Sequence, residues 1–468
     1  MKSSRREFLQ QTAFASAALS LPFVITPTSA VAQEEKQRIR RERRRGNLPT
    51  LAAIGVGGSR GAYAQGTSIA MAARQRGRMV AVCDVDQVHC DEFNAKFDNQ
   101  LTTYIDYRKL LEVEKPEIVT IGTPDHWHVP IAIACLRAGC DVYCEKPLTL
   151  TIEEGARIRD VVQETGRVFQ VGTQQRSGHD ILFLLALAMV RSGRLGKNIH
   201  ADIAIGGGTV GGPFPTASVP DGFDWDMWLG PATKTDFSQE RRKEFRWYYD
   251  YSGGKMTDWG AHHIDIAQWA LGHDKIGPVK ISLIGPTAFT PIVPEHFDWN
   301  AYLAGDIVLP NGYHTATRFS MNLGLMGTYL DKYESEDRKT QFDNGILFTG
   351  DEGRIFVNRD RISGKPIEDL TSVERGELYQ SIIPLYKNKL PGDHMRNFFE
   401  CVADRSEPIS DVVSHVCTMN SCHLANIALM LGRDLHWDPQ NERFIGDDQA
   451  QNLVSRHRRD TYSLATTT

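Results

Sequence analysis

Several patterns that would mark a zinc, redox or nucleic-acid-binding protein are missing from the sequence. None of its eight cysteines forms a C-x-x-C pair, the spacing common to zinc and dithiol sites. Aspartate and glutamate (58) outnumber lysine and arginine (53), so the net charge of −5 gives no basic field for a nucleic acid. No repeat recurs at a fixed period. We therefore expect most cysteines to be small buried hydrophobic residues, with no metal and no nucleic-acid partner.

A hydrophobic run long enough to cross a membrane is also missing. The apolar stretch 13–25 is shorter than the ~20 residues that a spanning helix needs. It follows the pair Arg5-Arg6 and precedes the small-residue motif A-V-A at 30–32. This order predicts a twin-arginine (Tat) signal peptide over 1–32, with the Tat translocase as partner, a periplasmic or other extracytoplasmic location and no stable membrane anchor. The alternative is a cytoplasmic protein with an amphipathic N-terminus.

The length and the apolar patterning predict a linker followed by two domains. Residues 33–49 are polar and largely basic, which favours a solvated linker over a segment that touches an anionic surface. The remaining chain exceeds the roughly 250–300 residues of a single core. From 50 to 176, buried strand-like runs alternate with helical ones, which predicts an α/β Rossmann domain with a doubly wound parallel sheet. From 177 to 440, shorter apolar runs predict an α+β domain with a large, mostly antiparallel sheet, and 441–468 form a C-terminal tail.

Individual elements of the second domain follow from the same patterns. Two helical stretches, Met395–Val402 and Val412–Leu431, are expected to pack over its sheet without a chemical role. Another helix is expected at 181–192. Short strands are expected at 279–284, 306–309, 315–321 and 345–348.

A glycine-rich turn follows the first predicted strand. Leu51–Ile54 leads into G-V-G-G-S-R-G, whose glycines let the backbone turn sharply and approach a phosphate group at the start of the next helix. Gly55, Gly57 and Gly58 are therefore predicted to bind a dinucleotide. The second strand ends at Asp84, whose carboxylate can accept hydrogen bonds from a ribose and repels a 2′-phosphate, which favours NAD over NADP. The alternative role for Asp84 is to cap the following helix.

Two further predicted strands end in polar motifs. One is followed by T-P-D-H-W-H at 123–128 and the other by E-K-P at 145–147. Because the carboxyl ends of parallel strands meet at the edge where ligands bind, both motifs are expected at the cofactor site. His128 precedes a proline and can instead open the next helix. The predicted cofactor contacts here are Thr123, Pro124, His126, His128, Glu145 and Lys146.

These motifs, together with V-G-T-Q-Q-R at 171–176, resemble the Gfo/Idh/MocA family of sugar and polyol dehydrogenases over essentially the whole mature chain. The resemblance implies an NAD(P)-dependent oxidoreductase that acts on a hydroxyl of a sugar, inositol or related polyol. It implies that Lys146 lies beside the nicotinamide and contacts the substrate hydroxyl, with a cis peptide bond before Pro147. It also implies Gln174 as a cofactor contact and a homo-oligomer, because the family's second sheet commonly packs against another subunit.

The segment from 258 to 271 has the apolar periodicity of a helix that ends at Gly272. Asp258 and His262 lie four residues apart on one face of it. An Asp-x-x-x-His pair is similar to the catalytic pair of inositol-dehydrogenase-like family members. The resemblance implies that Asp258 orients the imidazole, that His262 is the base, and that Lys146 stabilises the developing alkoxide. The alternative is a structural pair at the start of the helix.

Charged and aromatic side chains around the start of this helix are candidates for substrate contact, because such groups suit hydroxyl-rich ligands. They are equally consistent with core aromatics whose hydroxyl groups are satisfied. His263 points about 100° away from His262, and their spacing with Asp265 is poor for a metal site. The substrate-contact candidates are Arg246, Tyr249, Tyr251, Lys255 and His263.

Export constrains the cofactor, because free NAD is scarce outside the cytoplasm. A Tat substrate folds before it crosses, so it can carry a tightly bound NAD with it. A captive cofactor has to be regenerated in place, which leaves three functions open. The first is alcohol oxidation. The second is an NAD-retaining glycosidase or lyase that works through a transient keto sugar with no net redox change. The third is non-catalytic sugar binding.

Overall fold

The structure is a computed structural model that describes residues 48–61, 63–205, 215–283, 319–322, 326–330, 333–334, 341–342 and 344–459. The predicted signal peptide, nearly all of the predicted linker and the strand expected at 306–309 lie outside the described residues. So do most of the strand expected at 315–321 and the last part of the predicted tail.

The first domain contains a six-stranded parallel sheet with the strand order β3-β2-β1-β4-β5-β6. This order confirms the predicted Rossmann fold. Its strands are β1 Thr50–Ile54, β2 Arg78–Cys83, β3 Thr102–Tyr104, β4 Ile118–Ile121, β5 Asp141–Cys144 and β6 Phe169–Val171. Its helices are Gln65–Arg74, Gln87–Asn94, Tyr107–Glu114, His128–Arg137 and Ile152–Thr165.

The central strands are apolar without alternation because helices cover both faces of the sheet. Every residue of β4 and β5 is buried. Side-chain caps start several of the helices: Asp86 accepts a hydrogen bond from the Val88 amide and Thr151 accepts one from the Glu154 amide. These caps fix where the two helices begin.

The described part of the second domain contains a nine-stranded sheet with the order β15-β14-β13-β7-β10-β9-β8-β16-β17. Its neighbouring strands pair antiparallel except β7 and β10, which confirms the predicted mostly antiparallel sheet. The strands of this domain, including the separate pair β11 and β12, are β7 His200–Ala204, β8 Lys280–Leu283, β9 Phe319–Asn322, β10 Met326–Leu330, β11 Tyr333–Glu334, β12 Gln341–Phe342, β13 Gly345–Gly350, β14 Gly353–Val357, β15 Ile362–Ser363, β16 Leu435–Asp438 and β17 Arg443–Phe444. The helices are Leu182–Arg191, Trp225–Leu229, Gln239–Lys243, Gly254–Leu271, Lys365–Glu368, Ser372–Leu385, His394–Asp404, Val412–Leu431 and Asp448–Gln451.

The helix Gly254–Leu271, which we name the site helix, carries the predicted catalytic pair. It begins four residues before the predicted start at Asp258 and ends at Gly272, whose φ of 80° is the left-handed conformation expected of a helix C-cap. It packs against Leu182–Arg191 and Val412–Leu431. A side chain at Gly260 would come within 2.9 Å of Cys422 Sγ, so the absence of a Cβ there permits the close helix contact.

The helix His394–Asp404 packs against the first domain, whereas the sequence predicted packing over the second sheet. Phe398 and Phe399 share a core with Leu51 of β1 and Tyr143 of β5. The rings of Tyr143 and Phe398 lie 5.7 Å apart in an edge-on arrangement. Periodicity shows that a helix has an apolar face but does not show which surface covers it, and this explains the difference.

All eight cysteines are buried and unpaired, as predicted for most of them. Burial raises the pKa of these thiols, so they are weak nucleophiles and behave as small apolar residues. Within the ranges that the structure describes, no helix is both long and apolar enough to cross a membrane.

Candidate active site

A cleft of about 340 Å³ opens at the carboxyl ends of the parallel strands, where the strand order reverses between β1 and β4. Ligands of open α/β sheets bind at such a reversal. Residues of the second domain complete the lining. Eleven of the sequence-predicted site residues line this cleft: Gly55, Gly57, Asp84, Thr123, Pro124, His128, Glu145, Lys146, Gln174, Arg246 and His262.

The glycine turn forms one wall of the cleft. Gly55 and Gly57 have φ values of 72° and 64°, which favour glycine, and a Cβ on Gly57 would collide with the Tyr63 carbonyl oxygen. Gly58 was also predicted to contact the cofactor, but it does not line the cleft. A side chain there would collide with Glu92, whose carboxylate accepts a hydrogen bond of 3.0 Å from the Ser59 amide. Gly58 therefore makes room for that contact.

Gly57→Ala is expected to weaken NADH binding strongly, because both the positive φ and the collision with the turn must be relieved by moving the backbone. Gly61→Ala is the matched control. A Cβ on Gly61 meets its nearest atoms at 3.6 Å, an ordinary contact. Fluorescence titration with NADH measures both variants. Equal affinities for the two variants would contradict this role of the turn.

Asp84 lies directly after β2, at the strand end where Rossmann folds generally bind the adenosine ribose. Its two oxygens accept hydrogen bonds of 3.0 Å from the amides of Gly57 and Asp86. Burial alone would raise the pKa of Asp84, but His89 and these backbone donors hold it below its usual value. The cap of the next helix is Asp86, so the capping alternative for Asp84 is wrong. The ionised carboxylate keeps lone pairs free for ribose hydroxyls.

The polar groups along this cleft suit a bound dinucleotide. Thr123 Oγ1 is buried and has no hydrogen-bond partner in the part of the chain that the structure describes. Glu145 Oε1 accepts hydrogen bonds from Gln174 Nε2 at 2.8 Å and Gln65 Nε2 at 3.2 Å, which fixes these three side chains beside the cleft. Together with the ionised Asp84 and the open glycine turn, these groups suit the ribose and phosphate parts of NAD.

Lys146 and Asp258 form the charged centre of the site. Lys146 Nζ lies 2.6 Å from Asp258 Oδ1 and 3.1 Å from its main-chain oxygen, and Arg246 Nε lies 3.5 Å from the same carboxylate oxygen. Burial would raise the pKa of Asp258, but these two cations lower it below its usual value. The Lys146–Pro147 peptide bond is cis, which confirms the expectation from the family resemblance.

Asp258 was expected to orient His262, and this geometry is not formed. The carboxylate is bound by Lys146 instead, because the lysine side chain reaches it from the loop after β5 and supplies a full positive charge. His262 Nδ1 is buried without a hydrogen-bond partner among the described residues. Burial and the nearby Lys146 lower the pKa of His262 well below its usual value, so its imidazole is neutral and able to accept a proton.

Asp125 is a site residue that the sequence analysis missed, although it lies inside the T-P-D-H-W-H motif. Its Oδ2 accepts a hydrogen bond of 2.6 Å from Ser252 Oγ, and the side chain lines the cleft. Burial raises the pKa of Asp125 to about 6, although Arg246 and Ser252 act in the opposite direction. The position of the motif at a strand end was the signal that could have identified this carboxylate.

Ionisation of Asp125 is expected to destabilise the fold. The folded protein holds the proton more tightly than the unfolded chain, so stability is lost as the pH rises from about 4 through about 6. Asp125→Asn keeps the acceptor for Ser252 but removes the charge. Over this range, wild type is expected to lose stability relative to the variant by up to ~1.4 kcal/mol per pH unit. The free energy of unfolding is measured by chemical denaturation at several pH values. The same pH dependence in the two proteins would contradict the prediction.

The two histidines of the T-P-D-H-W-H motif, His126 and His128, contact main-chain oxygens around the cleft. His128 lines it, with Nδ1 2.7 Å from the Pro147 oxygen and Nε2 2.9 Å from the Thr123 oxygen. His126 does not line it, contrary to its predicted cofactor contact. Its Nε2 lies 2.8 Å from the Trp228 oxygen. Burial lowers the pKa of His126 to about 3 and of His128 to about 4. They position neighbouring backbone segments.

Several predicted substrate contacts lie in the protein core. Tyr251 is fully buried, with its ring 5.0 Å from that of Trp228, and Tyr249 packs beneath the Arg456 guanidinium. His263 Nδ1 lies 3.2 Å from Gln175 Nε2, and His263 Nε2 lies 2.9 Å from Asn344 Oδ1. Lys255 lies over the Trp259 ring. Of the predicted substrate contacts, the structure therefore places Arg246 on the cleft and the two tyrosines in the core.

Two arginines of the second domain line the cleft without any local sequence signal. Arg359 donates a hydrogen bond of 3.0 Å to Gln175 and lies over the Trp259 ring. Arg242 reaches the end of β2 and pairs with Asp86. Both come from segments distant in sequence, so only the folded chain brings them to the cofactor domain.

Two family models together match more than half of the chain. The model described as "Oxidoreductase family, NAD-binding Rossmann fold" matches residues 50–173. The model described as "Oxidoreductase family, C-terminal alpha/beta domain" matches residues 210–303 and 374–464. The two matches coincide with the parallel sheet and with parts of the second domain.

Curated relatives match a shorter part of the chain. A glycosyl hydrolase family 109 protein of Shewanella sp. (strain W3-18-1) is 33% identical over 132 residues, which are 26% of this chain and 28% of that protein. An alpha-N-acetylgalactosaminidase of Shewanella oneidensis is 35% identical over 100 residues, which are 21% of each protein. The matches thus span only about a quarter of the length of these relatives.

Solved structures share the fold. The WlbA dehydrogenase from Bordetella pertussis, in complex with NADH and UDP-GlcNAcA, has a TM-score of 0.56 and 16% identity, covering 84% of this chain and 98% of that one. GenD2 from gentamicin A biosynthesis, in complex with NAD, has a TM-score of 0.52 and 15% identity, covering 84% and 97%. The glycine turn, Asp84 and the E-K-P lysine fit the same fold. The chain therefore belongs to the Gfo/Idh/MocA family of oxidoreductases, and its first domain is an NAD-binding Rossmann domain.

Proposed function

We propose that this chain oxidises a hydroxyl group of a sugar, inositol or related polyol with NAD as a tightly bound cofactor. The observation that carries the proposal is that Lys146, which Asp258 holds by an ion pair, and the neutral His262 both line the cleft that fits the dinucleotide. The groups that would hold the cofactor and the groups that would take up the proton therefore lie in one site.

The chemistry assigns a separate task to each side chain. When NAD is bound, it supplies the acceptor for the hydride that leaves the alcohol carbon. The Lys146 ammonium donates a hydrogen bond to the substrate oxygen and stabilises its developing negative charge. The neutral imidazole of His262, which lines the cleft, takes up the hydroxyl proton. Asp258 holds the ammonium in place at 2.6 Å.

A second function is favoured by the similarity to glycosyl hydrolase family 109 proteins. In that function the same side chains oxidise a ring hydroxyl to a ketone, which acidifies the neighbouring C–H bond and permits elimination of the glycosidic leaving group. Water then adds, and the ketone is reduced back. The cofactor returns to its starting state in each cycle, so a captive NAD needs no outside acceptor. Non-catalytic sugar binding is the third possibility.

Two measurements on the full chain separate these functions. Mass spectrometry of the denatured protein reports whether NAD or NADP co-purifies. Incubation with free sugars, polyols and chromogenic glycosides, with NADH absorbance and aglycone release recorded together, then identifies the net reaction. NADH formation matched to substrate oxidation supports the dehydrogenase. Aglycone release without NADH supports the glycosidase. Sugar binding by NAD-loaded protein with neither product supports a binding protein.

We further propose that residues 1–32 direct export through the Tat translocase to the periplasm or another extracytoplasmic location. The support is the order of the arginine pair, the short apolar run and the A-V-A motif in the sequence. Replacing Arg5 and Arg6 by lysine is expected to leave the protein in the cytoplasmic fraction. Unchanged export of that variant would contradict Tat dependence.

We also propose that the chain forms a homo-oligomer. The support is family membership, because the family resemblance implies a second sheet that packs against another subunit. Size-exclusion chromatography with light scattering measures the mass directly. A species of the 52.4 kDa chain mass at micromolar concentration would contradict the proposal.

A further inference from the structure

A segment of the second domain crosses the cleft and is hydrogen-bonded to the first domain on both sides of the cleft. We name this segment, Asp221–Lys243, the adenosine strap. On one side it pairs with the end of β2: the Asp224 amide donates to the Val85 oxygen, and the Gln87 amide donates to the Gly222 oxygen, both at 2.9 Å. Backbone hydrogen bonds of this kind fix the position of the segment relative to the sheet.

The second set of hydrogen bonds lies at the end of β4. Trp127 Nε1 donates hydrogen bonds of 3.0 Å to the oxygens of Met227 and Trp228, and His126 Nε2 lies 2.8 Å from the Trp228 oxygen. The motif residues His126 and Trp127 therefore contact the strap. Because β2 and β4 flank β1 in the sheet, the strap bridges the mouth of the cleft at the glycine turn.

A buried ion pair anchors the strap beside the ribose position. Arg242 Nη2 lies 2.7 Å from Asp86 Oδ2, and both side chains are almost fully buried, with exposures of 4% and 0%. The Arg242 guanidinium also lies 4.0 Å from the centre of the Phe223 ring and 3.4 Å from His89 Nε2. His89 in turn lies 3.4 Å from Asp84. Arg242 is thus connected through one side chain to the predicted ribose acceptor.

One nitrogen of Arg242 has no hydrogen-bond partner among the residues that the structure describes. Nη1 is buried without a hydrogen-bond partner in the described part of the chain, although the residue lines the cleft together with Asp84 and His89. A buried guanidinium N–H without an acceptor is costly, whereas a bound ligand with an oxygen or nitrogen acceptor would satisfy it. Asp86 already neutralises the arginine charge, so a neutral acceptor suits this position better than a further anion.

We propose that Arg242 is a cofactor-binding residue that donates a hydrogen bond to the adenosine half of NAD, and that the adenosine strap slows its release. The inference rests on the proposed NAD-dependent function and explains how the cofactor stays bound through many cycles. The acceptor is a ribose hydroxyl or a base nitrogen of the adenosine. The carboxylates of Asp84 and Asp86 beside it disfavour the 2′-phosphate of NADP.

Substitutions at Arg242 test the proposal through NADH affinity and release rate. Arg242→Lys keeps a positive charge for Asp86 but lacks the second guanidinium nitrogen. The double variant Arg242→Met with Asp86→Asn removes both charges, and asparagine still caps the following helix well. Lys243→Met, on an exposed neighbour in the same short helix, is the matched control. Displacement of NADH from the full chain, followed by fluorescence, gives the dissociation rate.

Both Arg242 variants are expected to release NADH about tenfold faster or more, with melting temperatures close to that of wild type, while Lys243→Met behaves as wild type. Wild-type release rates in both folded Arg242 variants would overturn the proposal. If wild-type protein itself binds no NADH, the proposed function fails. If wild type binds NADH and the Arg242 variants release it at the same rate, only the role of Arg242 fails.

Discussion

Lys146→Met is expected to reduce turnover by about 10²–10³-fold while NADH still binds. Methionine has a similar length but cannot donate a hydrogen bond to the substrate oxygen or stabilise its developing charge. Asp258 would keep Arg246 as a counter-charge at 3.5 Å, so the substitution does not leave the carboxylate without a cation. Steady-state kinetics with the substrate found in the test of sugars, polyols and glycosides, together with NADH titration, measures both quantities.

Lys255→Met is the matched control for this prediction. Lys255 lies on the site helix over the Trp259 ring and does not line the cleft. Turnover of the Lys255→Met variant is therefore expected to stay within a few-fold of wild type. Asp258→Asn combined with Lys146→Met is expected to cost little more than Lys146→Met alone, because the two side chains act as a unit. Turnover of Lys146→Met close to that of wild type would exclude the proposed role of this lysine.

Arg176→Met is expected to reduce the free energy of unfolding by about 3–5 kcal/mol. Arg176 binds both oxygens of Asp265 on the site helix, at 2.7 and 2.6 Å, and donates to the Ile409 oxygen at 2.8 Å. Both members of the pair are essentially fully buried. Removal of the arginine leaves a carboxylate buried without its cation, at the junction between the two domains. Chemical denaturation of the variant and of wild type measures the loss.

Two comparisons identify the cause of that loss. Lys109→Met removes a cation from an exposed pair, Lys109 with Glu112, and is expected to lower the free energy of unfolding far less than Arg176→Met does. The double variant Arg176→Met with Asp265→Leu removes both buried charges and is expected to recover much of the stability. If Arg176→Met is no less stable than Lys109→Met, the buried pair does not hold the domains together.

The sequence by itself determined the features whose physics is local. A turn that needs positive φ values requires Gly55 and Gly57, and a strand end followed by a carboxylate identifies Asp84. The site helix ends at the predicted Gly272 because a left-handed C-cap favours glycine. Alternating strand and helix patterns were sufficient for the parallel sheet. Each of these features depends on residues that are close together in the chain.

The tertiary structure decided which distant groups meet. Asp258 shares a helix face with His262, yet its partner is Lys146, which lies 112 positions away and brings a full positive charge. Arg242 reaches Asp86 across 156 positions, and nothing in its own neighbourhood marks it as a cofactor contact. Periodicity likewise gave His394–Asp404 an apolar face without showing that β1 and β5 lie behind it. Charge pairing and burial depend on distances in space, and those distances exist only once the chain has folded.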